Sequence, residues 1–460
     1  MVFNNRLSRR NFLQVAGLTT GATVLAACTA PASPAAPAAG EAAPAGEIIN
    51  IVYWHGWSGR FGEWLDRVGA EFEKENPTIN VEFVRIDWGE LYAKLLTAIA
   101  AGTPPDTYIA GNENGQLYSL AANKVILAME DIAPADDLAK LKEVVHPQIW
   151  DLGTYEGKLW ALPKWTQSYA LLVNTDHLAE AGIDPEQAPE TLDDLDVIAE
   201  KLYQRDADGT IRRIGFDPGN WYFGYWGRFD GKYVDDNGQP TLTHPNNLAC
   251  VQWMTSYSEK YDPTKVSQYS TAVDGSDANQ PFLLGSYSIS QEGPWRLGDI
   301  YEFKQDMPYK VWRIPRPAAI QGYGMSTGGD IPVIPVGVPH PDASFRWVRY
   351  MTGVDNPEVY ATLWTVGLRP HIPISETVAR SDAFKPVYEM FPGFDLYIDD
   401  FFGGDWLTPP SKLPVAEFYA DRLNANVEQA RLLQVTPEQA LQTAQDEIAA
   451  ELEKWLAANK

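Results

Sequence analysis

Sixteen tryptophans and six histidines are the side chains through which this 460-residue chain could do most chemistry. His55, His146, His177, His244, His340 and His371 include no i,i+4 pair and no H-E-x-x-H run, so no histidine metal site is expected. Two cysteines exclude a disulfide framework and a Cys-rich zinc or iron–sulfur site. No P-loop occurs. What remains is aromatic and planar polar chemistry. Indole faces stack on apolar C–H surfaces, and amides, carboxylates and guanidinium groups form paired hydrogen bonds with hydroxyls. The residues of these types that fall at expected loop tips are Trp54, His55, Trp57, Asn112, Glu113, Trp165, Gln167, Tyr169, Trp221, Tyr222, Trp226, Glu292, Trp295, Trp364 and Arg369. Trp54 and Tyr169 equally suit a core, Trp160 suits packing between segments, and Arg369 equally suits an ion pair. Glu113 and Glu292 could form the carboxylate pair of a glycosidase, but no local motif sets two such groups at a working distance.

The elements that must position these residues follow from periodicity. Residues 48–54 read as a buried strand, 61–76 as a helix with Phe61, Trp64, Leu65, Val68 and Phe72 on one face, and 79–84 as an alternating strand. A helix over 88–101 and a strand over 106–110 come next. Strand–helix–strand–helix–strand predicts a mostly parallel sheet whose ligands sit at the carboxyl ends of its strands, so the loops at 55–59 and 111–114 share one rim. A second α/β block starts near 160, with a strand over 171–174 and a helix over 191–203 capped by Thr191. Strand and helix return over 331–336 and 343–352, and an amphipathic helix capped by Thr436 closes the chain. Asp206–Gly209 and Asp235–Gly238 read as turns, because neither completes a calcium loop.

The formal charge of −25 argues against nucleic acid or an anionic membrane as main partner. The start reads differently from the body. Ser8-Arg9-Arg10-Asn11-Phe12-Leu13 is a close match to a twin-arginine export signal. An apolar stretch from Val15 to Ala27 follows, too short for the ~20 residues a spanning helix needs. It ends Leu25-Ala26-Ala27-Cys28, which looks like a lipobox with Cys28 as the acylated residue. Residues 29–47 hold nine Ala and four Pro, the composition of a semi-extended tether. These features predict a signal over 1–27, a tether over 28–47, and an extracytoplasmic protein held to a membrane by lipid on Cys28.

The body from 48 onward resembles the bacterial extracellular solute-binding proteins of ABC importers, of the sugar-binding, maltose-binding-protein-like type. The residues that carry the likeness are Ala101-Gly102-Thr103-Pro104-Pro105-Asp106, the run Tyr155 to Pro163, Leu172-Val173-Asn174-Thr175-Asp176, the run Phe282 to Trp295, Gly328-Gly329, and Ser344 to Met351. The resemblance implies an α/β, two-lobe periplasmic-binding-protein fold (type II), its lobes joined by hinge strands around a ligand cleft. Lobe one would be 48–163 plus 315–368, and lobe two 164–314 plus 369–460. It also implies Trp295 as a stacking face, a carbohydrate as ligand, and the transmembrane subunits of an ABC permease as partner. The chain is expected to be a monomer without cofactor or metal. Alternatives are the same fold holding a polyol, a sugar phosphate or a peptide, a carboxylate-based glycosidase, and a surface scaffold on a lipid leash.

Overall fold

The computed structural model describes residues 48–459 apart from 112–114, 220–221, 267–276, 323, 327 and 409–410, with backbone alone at 222–223, 277, 325–326 and 406–408. The signal, the tether and Cys28 thus lie outside the described residues. Strand β1 (Ile49–His55) alternates in burial, with Ile51, Tyr53 and His55 inward. Helix α1 (Arg60–Glu75) buries Phe61, Trp64, Leu65, Val68 and Phe72 on its core-facing side. It ends where Asn76 turns its N–H back to the Phe72 carbonyl, one residue before Pro77. Strand β2 (Ile79–Arg85) and helix α2 (Trp88–Ala100) follow, with Asp87 capping α2 through the Gly89 N–H. Strand β3 (Thr107–Gly111) completes the run and leads into helix α3 (Gln116–Ala122).

Strand β1 pairs in parallel with both β2 and β3, as the repeated strand–helix pattern requires. Farther along the chain, strand β4 (Ala170–Asn174), strand β5 (Ile289–Glu292), helix α4 (Trp295–Phe303) and strand β6 (Tyr309–Trp312) build a second sheet. Strand β7 (Asp330–Val333) then returns to the first sheet, antiparallel to β3. The first sheet has the order β7-β3-β1-β2 and the second β6-β4-β5. The parallel pattern expected from the sequence therefore holds within the first sheet except at β7. The second sheet is antiparallel at both of its pairings. The strand read over 331–336 stops at Val333, two residues before Pro335.

Strand β4 is buried on both faces. Ala170 and Leu172 join one hydrophobic cluster with Ile51, Trp64, Tyr108 and Trp347. Leu171 and Val173 join a second cluster with Leu195, Met254, Trp312 and Ile448. The two-residue period of the strand is what divides them. Cys250 is fully buried in the second cluster. Helix α5 (Pro341–Tyr350) packs on the first sheet, while helices α6 (Ala416–Arg431) and α7 (Pro437–Ala458) lie against each other. Thr436 and Gln439 form a capping box at the start of α7, and Thr191 and Asp194 form another at the helix Leu192–Leu202. By internal contacts residues 46–460 form one unit. No helix of the described residues is long and apolar enough to cross a membrane.

Candidate functional site

Register brings the site together. His55 lies opposite Arg85 at the carboxyl ends of β1 and β2, and Ile86 N–H donates to the His55 carbonyl at 2.8 Å. The loop after β1, with Trp57, therefore lies beside the turn that starts α2, with Asp87 and Trp88. Ala170 pairs with Glu292, which brings Gln167, ahead of β4, toward Trp295 at the start of α4. The Thr166 N–H donates to the Ile372 carbonyl at 2.9 Å and adds the 369–372 segment to the same place.

Between these segments is a cleft of about 410 Å³. Trp57, Phe61, Arg85, Asp87, Trp88 and Asp330 line it together with Gln167, Trp295, Arg296, Asp299, Arg369 and His371. Three other concavities, of about 580, 480 and 310 Å³, have no tryptophan in their walls. The size of the largest is thus no guide to chemistry, and the indole-lined cleft is the candidate site.

Two of its indoles rest on glycines. A Cβ on Gly56 would come within 2.2 Å of the Trp88 ring, and one on Gly293 within 2.0 Å of the Trp295 ring. Only hydrogen in place of a side chain allows either ring to lie so close to backbone. Trp88 is 45% exposed and meets Trp57 edge to face at 5.2 Å. Trp295 meets Tyr169 edge to face at 5.9 Å and His371 at 5.8 Å. His371 stacks on Trp165 at 4.2 Å, and its Nδ1 pairs with the Arg369 carbonyl at 2.9 Å. Burial pushes His371 down to about 3, aided by Lys164 and Arg369 nearby, so its ring is neutral at pH 7. His55 is likewise pushed down to about 4, mainly by burial and then by Lys164 and Arg85.

The polar floor is an ion-pair network. Asp299 takes Arg296 at 2.6 Å through one carboxylate oxygen and Arg369 at 3.0 Å through the other. Arg296 also reaches Glu292 at 3.1 Å. The cleft lining holds three arginines and three aspartates, so its formal charges cancel.

Of the residues singled out from sequence, Trp57, Gln167, Trp295 and Arg369 line the cleft, and Glu292 lies just beneath, held by Arg296. Arg369 is at once a cleft residue and an ion-pair partner. Four others move from contact to support. Trp165 and Trp364 are fully buried in the first cluster, because their indoles are drawn into the core around His371. His55 is 4% exposed and stacks behind Trp57 at 5.7 Å. Trp54 sits half-buried on the face of β1 opposite His55 and packs against the same cluster, away from the cleft lining. Tyr169 and Trp226 are core residues of the second cluster, and Trp160 is half-buried against the first. Asn112, Glu113 and Trp221 lie outside the described residues, and Tyr222 opens the short helix Tyr222–Trp226. The sequence reading missed Trp88, Arg296, Asp299, Asp330 and His371. Two of these carried a signal. Trp88 follows the carboxyl end of a strand on the rim already expected, and Asp299 lies one helical turn beyond Trp295.

The fold and cleft together define a two-lobe receptor for a small solute. Residues 68–392 match the family described as bacterial extracellular solute-binding protein, and the chain belongs to that family. A binding protein of Brucella abortus (strain 2308) is 24% identical over 279 residues, 59% of this chain, and the chain spans only 64% of that relative's length. The diacetylchitobiose binding protein DasA of Streptomyces coelicolor is 22% identical over 359 residues, covering 74% of this chain and 77% of DasA. Among solved structures, CpMnBP1 with mannotriose bound superposes with a TM-score of 0.76 at 26% identity, over 87% of this chain and 99% of CpMnBP1.

Proposed function

We propose that this chain is the extracytoplasmic receptor of an ABC importer, binding an uncharged mono- or oligosaccharide between two lobes and delivering it intact to the permease. The observation that carries the reading is the pairing, in one cleft, of indole surface from Trp88 and Trp295 with a polar lining whose formal charges cancel. A sugar offers apolar C–H faces to the indoles and hydroxyls to Gln167, Asp330 and the arginine–aspartate network. A phosphate or another charged solute would call for uncompensated charge, which the lining lacks. Two relatives support the ligand class: CpMnBP1 holds mannotriose and DasA is a diacetylchitobiose binding protein.

The moving bodies in this reading are lobe one, 48–163 plus 315–368, and lobe two, 164–314 plus 369–460. A sugar that touches Trp88 and Asp330 of the first and Trp295 and Gln167 of the second gains contacts only when the lobes approach. Its differential affinity then shifts the population toward the closed form. The twin-arginine run and Cys28 add the rest: export in folded form, and a lipid anchor that keeps the receptor near its permease.

The test is a thermal-shift and calorimetric screen of the full chain with mannobiose, mannotriose, diacetylchitobiose and glucose 6-phosphate, with product analysis after incubation. A raised melting temperature with a neutral sugar and no hydrolysis is expected. Hydrolysis, or a response to the phosphate alone, contradicts the reading.

A further inference from the structure

Arg60 is the first residue of α1, and Glu302 stands in the last turn of α4. The two are 242 positions apart in sequence and form an ion pair, with Arg60 Nη2 donating to the Glu302 carboxylate. Neither charge serves its own helix. The amino end of a helix carries partial positive charge and the carboxyl end partial negative charge, so a guanidinium at the start of α1 and a carboxylate at the end of α4 both oppose the dipole. What the two positions share is the cleft. Phe61, next to Arg60, lines it, as do Trp57 and Ser58 just before α1 begins. On α4, Trp295 and Asp299 line it, and Glu302 continues their stripe at the spacing i, i+4, i+7. In the two-lobe division proposed above, α1 belongs to lobe one and α4 to lobe two. Gln116 with Glu417 and Lys412 with Asp151 cross the same division, but from segments that do not line the cleft. The Arg60 and Glu302 side chains are 33% and 20% exposed, so their pair is partly shielded and still open to salt.

We propose that Arg60 and Glu302 are a positioning pair for the cleft: their ion pair forms as the lobes approach, fixes the spacing of the helices that carry Phe61 and Trp295, and makes the retention of a neutral sugar depend on ionic strength. The inference rests on the carbohydrate and two-lobe reading above. An uncharged sugar in a lining whose formal charges cancel gives salt little to act on directly. A bridge between the closing bodies does respond, because screening weakens it in the closed form and has no counterpart in the open one. Replacing Arg60 takes a cation away from a helix start, where it opposes the dipole, so loss of the bridge can be told apart from loss of the fold.

The experiment compares the full chain with R60A, E302A and the charge-swapped double variant R60E/E302R. Mannotriose binding is measured by calorimetry at about 20 mM and about 500 mM NaCl, between which the screening length falls severalfold. Melting temperature and small-angle scattering are recorded on the same proteins without ligand. The parent is expected to lose about twofold to fivefold in affinity from the lower salt to the higher, the range of a partly exposed ion pair. R60A and E302A should each lose a similar factor at the lower salt and respond less to added salt. Both should keep the parent's melting temperature and show a larger radius of gyration without ligand. The double variant should recover both the affinity and the salt response. Single variants that bind as the parent does at the lower salt, or a double variant that recovers nothing, overturn the proposal. A parent that binds no sugar contradicts the carbohydrate reading, and scattering then decides the bridge by itself: equal radii for R60A and the parent at the lower salt overturn it.

Discussion

Asp299 and Arg369, 70 positions apart in sequence, meet at 3.0 Å inside the cleft floor, with the carboxylate 2% exposed and the guanidinium 10% exposed. The second oxygen of the same carboxylate holds Arg296 at 2.6 Å. One aspartate therefore joins the first turn of α4 to the segment that carries His371. D299A removes the one carboxylate that two buried guanidinium groups share. Breaking a buried pair in this way costs about 3–5 kcal/mol. The melting temperature should fall by several degrees, and sugar affinity should fall with it, as read by calorimetry. A D299A protein with unchanged stability would show that this network is not buried in solution.

Trp295 should behave differently. It is half-buried, with one face against the Gly293 backbone and its remaining surface in the cleft lining. W295A should lower sugar affinity by about tenfold to a hundredfold, equivalent to about 1–3 kcal/mol by analogy with base–aromatic stacking. Its melting temperature without ligand should change little. W295F should recover part of the loss. Equal affinities for W295A and the parent would remove Trp295 from the ligand site.

Trp88 supplies a parallel case in the same lining. Because it is 45% exposed, W88A should be close to neutral for stability. A loss of about tenfold in affinity is expected if its open face meets the sugar. G56A reaches the same ring by another route, since the new Cβ would lie 2.2 Å from it and the indole must shift. The two variants should therefore weaken binding in the same direction in calorimetric titrations. A G56A protein of full affinity would mean that the position of Trp88 is immaterial.

Stability should also depend on pH through Glu417, in the first turn of α6. Gln116 of α3 donates to its Oε1 at 3.0 Å, and its Oε2 is buried with no hydrogen-bond partner among the described residues. Burial, reinforced by Asp421, raises its carboxyl to about 7 against the opposing Gln116 bond. The unfolded chain gives up that proton near pH 4.3. Between these values the folded state holds a proton that the unfolded state has lost, so stability falls as pH rises through the window. E417Q removes this dependence. The melting temperature of E417Q relative to the parent should increase from about pH 4.5 to about pH 8, and a constant difference across the range would refute the assignment.

Much of this architecture was legible in the residues themselves. The burial stripe of Phe61, Trp64, Leu65, Val68 and Phe72, the caps at Thr191 and Thr436, and the strand at 171–174 are local, and local spacing reports them. The rim at the carboxyl end of β1 followed from the order of elements alone, and with it Trp57. The family likeness rested on short runs in a set order, which a one-dimensional reading can detect.

The tertiary structure decided which aromatic residues face the cleft. Trp165, Trp364 and Trp295 are the same residue type, yet two are fully buried and one lines the cleft. The difference arises from packing between segments distant along the chain: Trp165 and Trp364 are enclosed around His371, while Trp295 is raised on Gly293. Likewise Asp299 and Arg296 are unremarkable charges in sequence. They acquire a role only where folding removes water around them and leaves each with a particular partner, because burial is what makes an unpaired charge costly and a paired one specific.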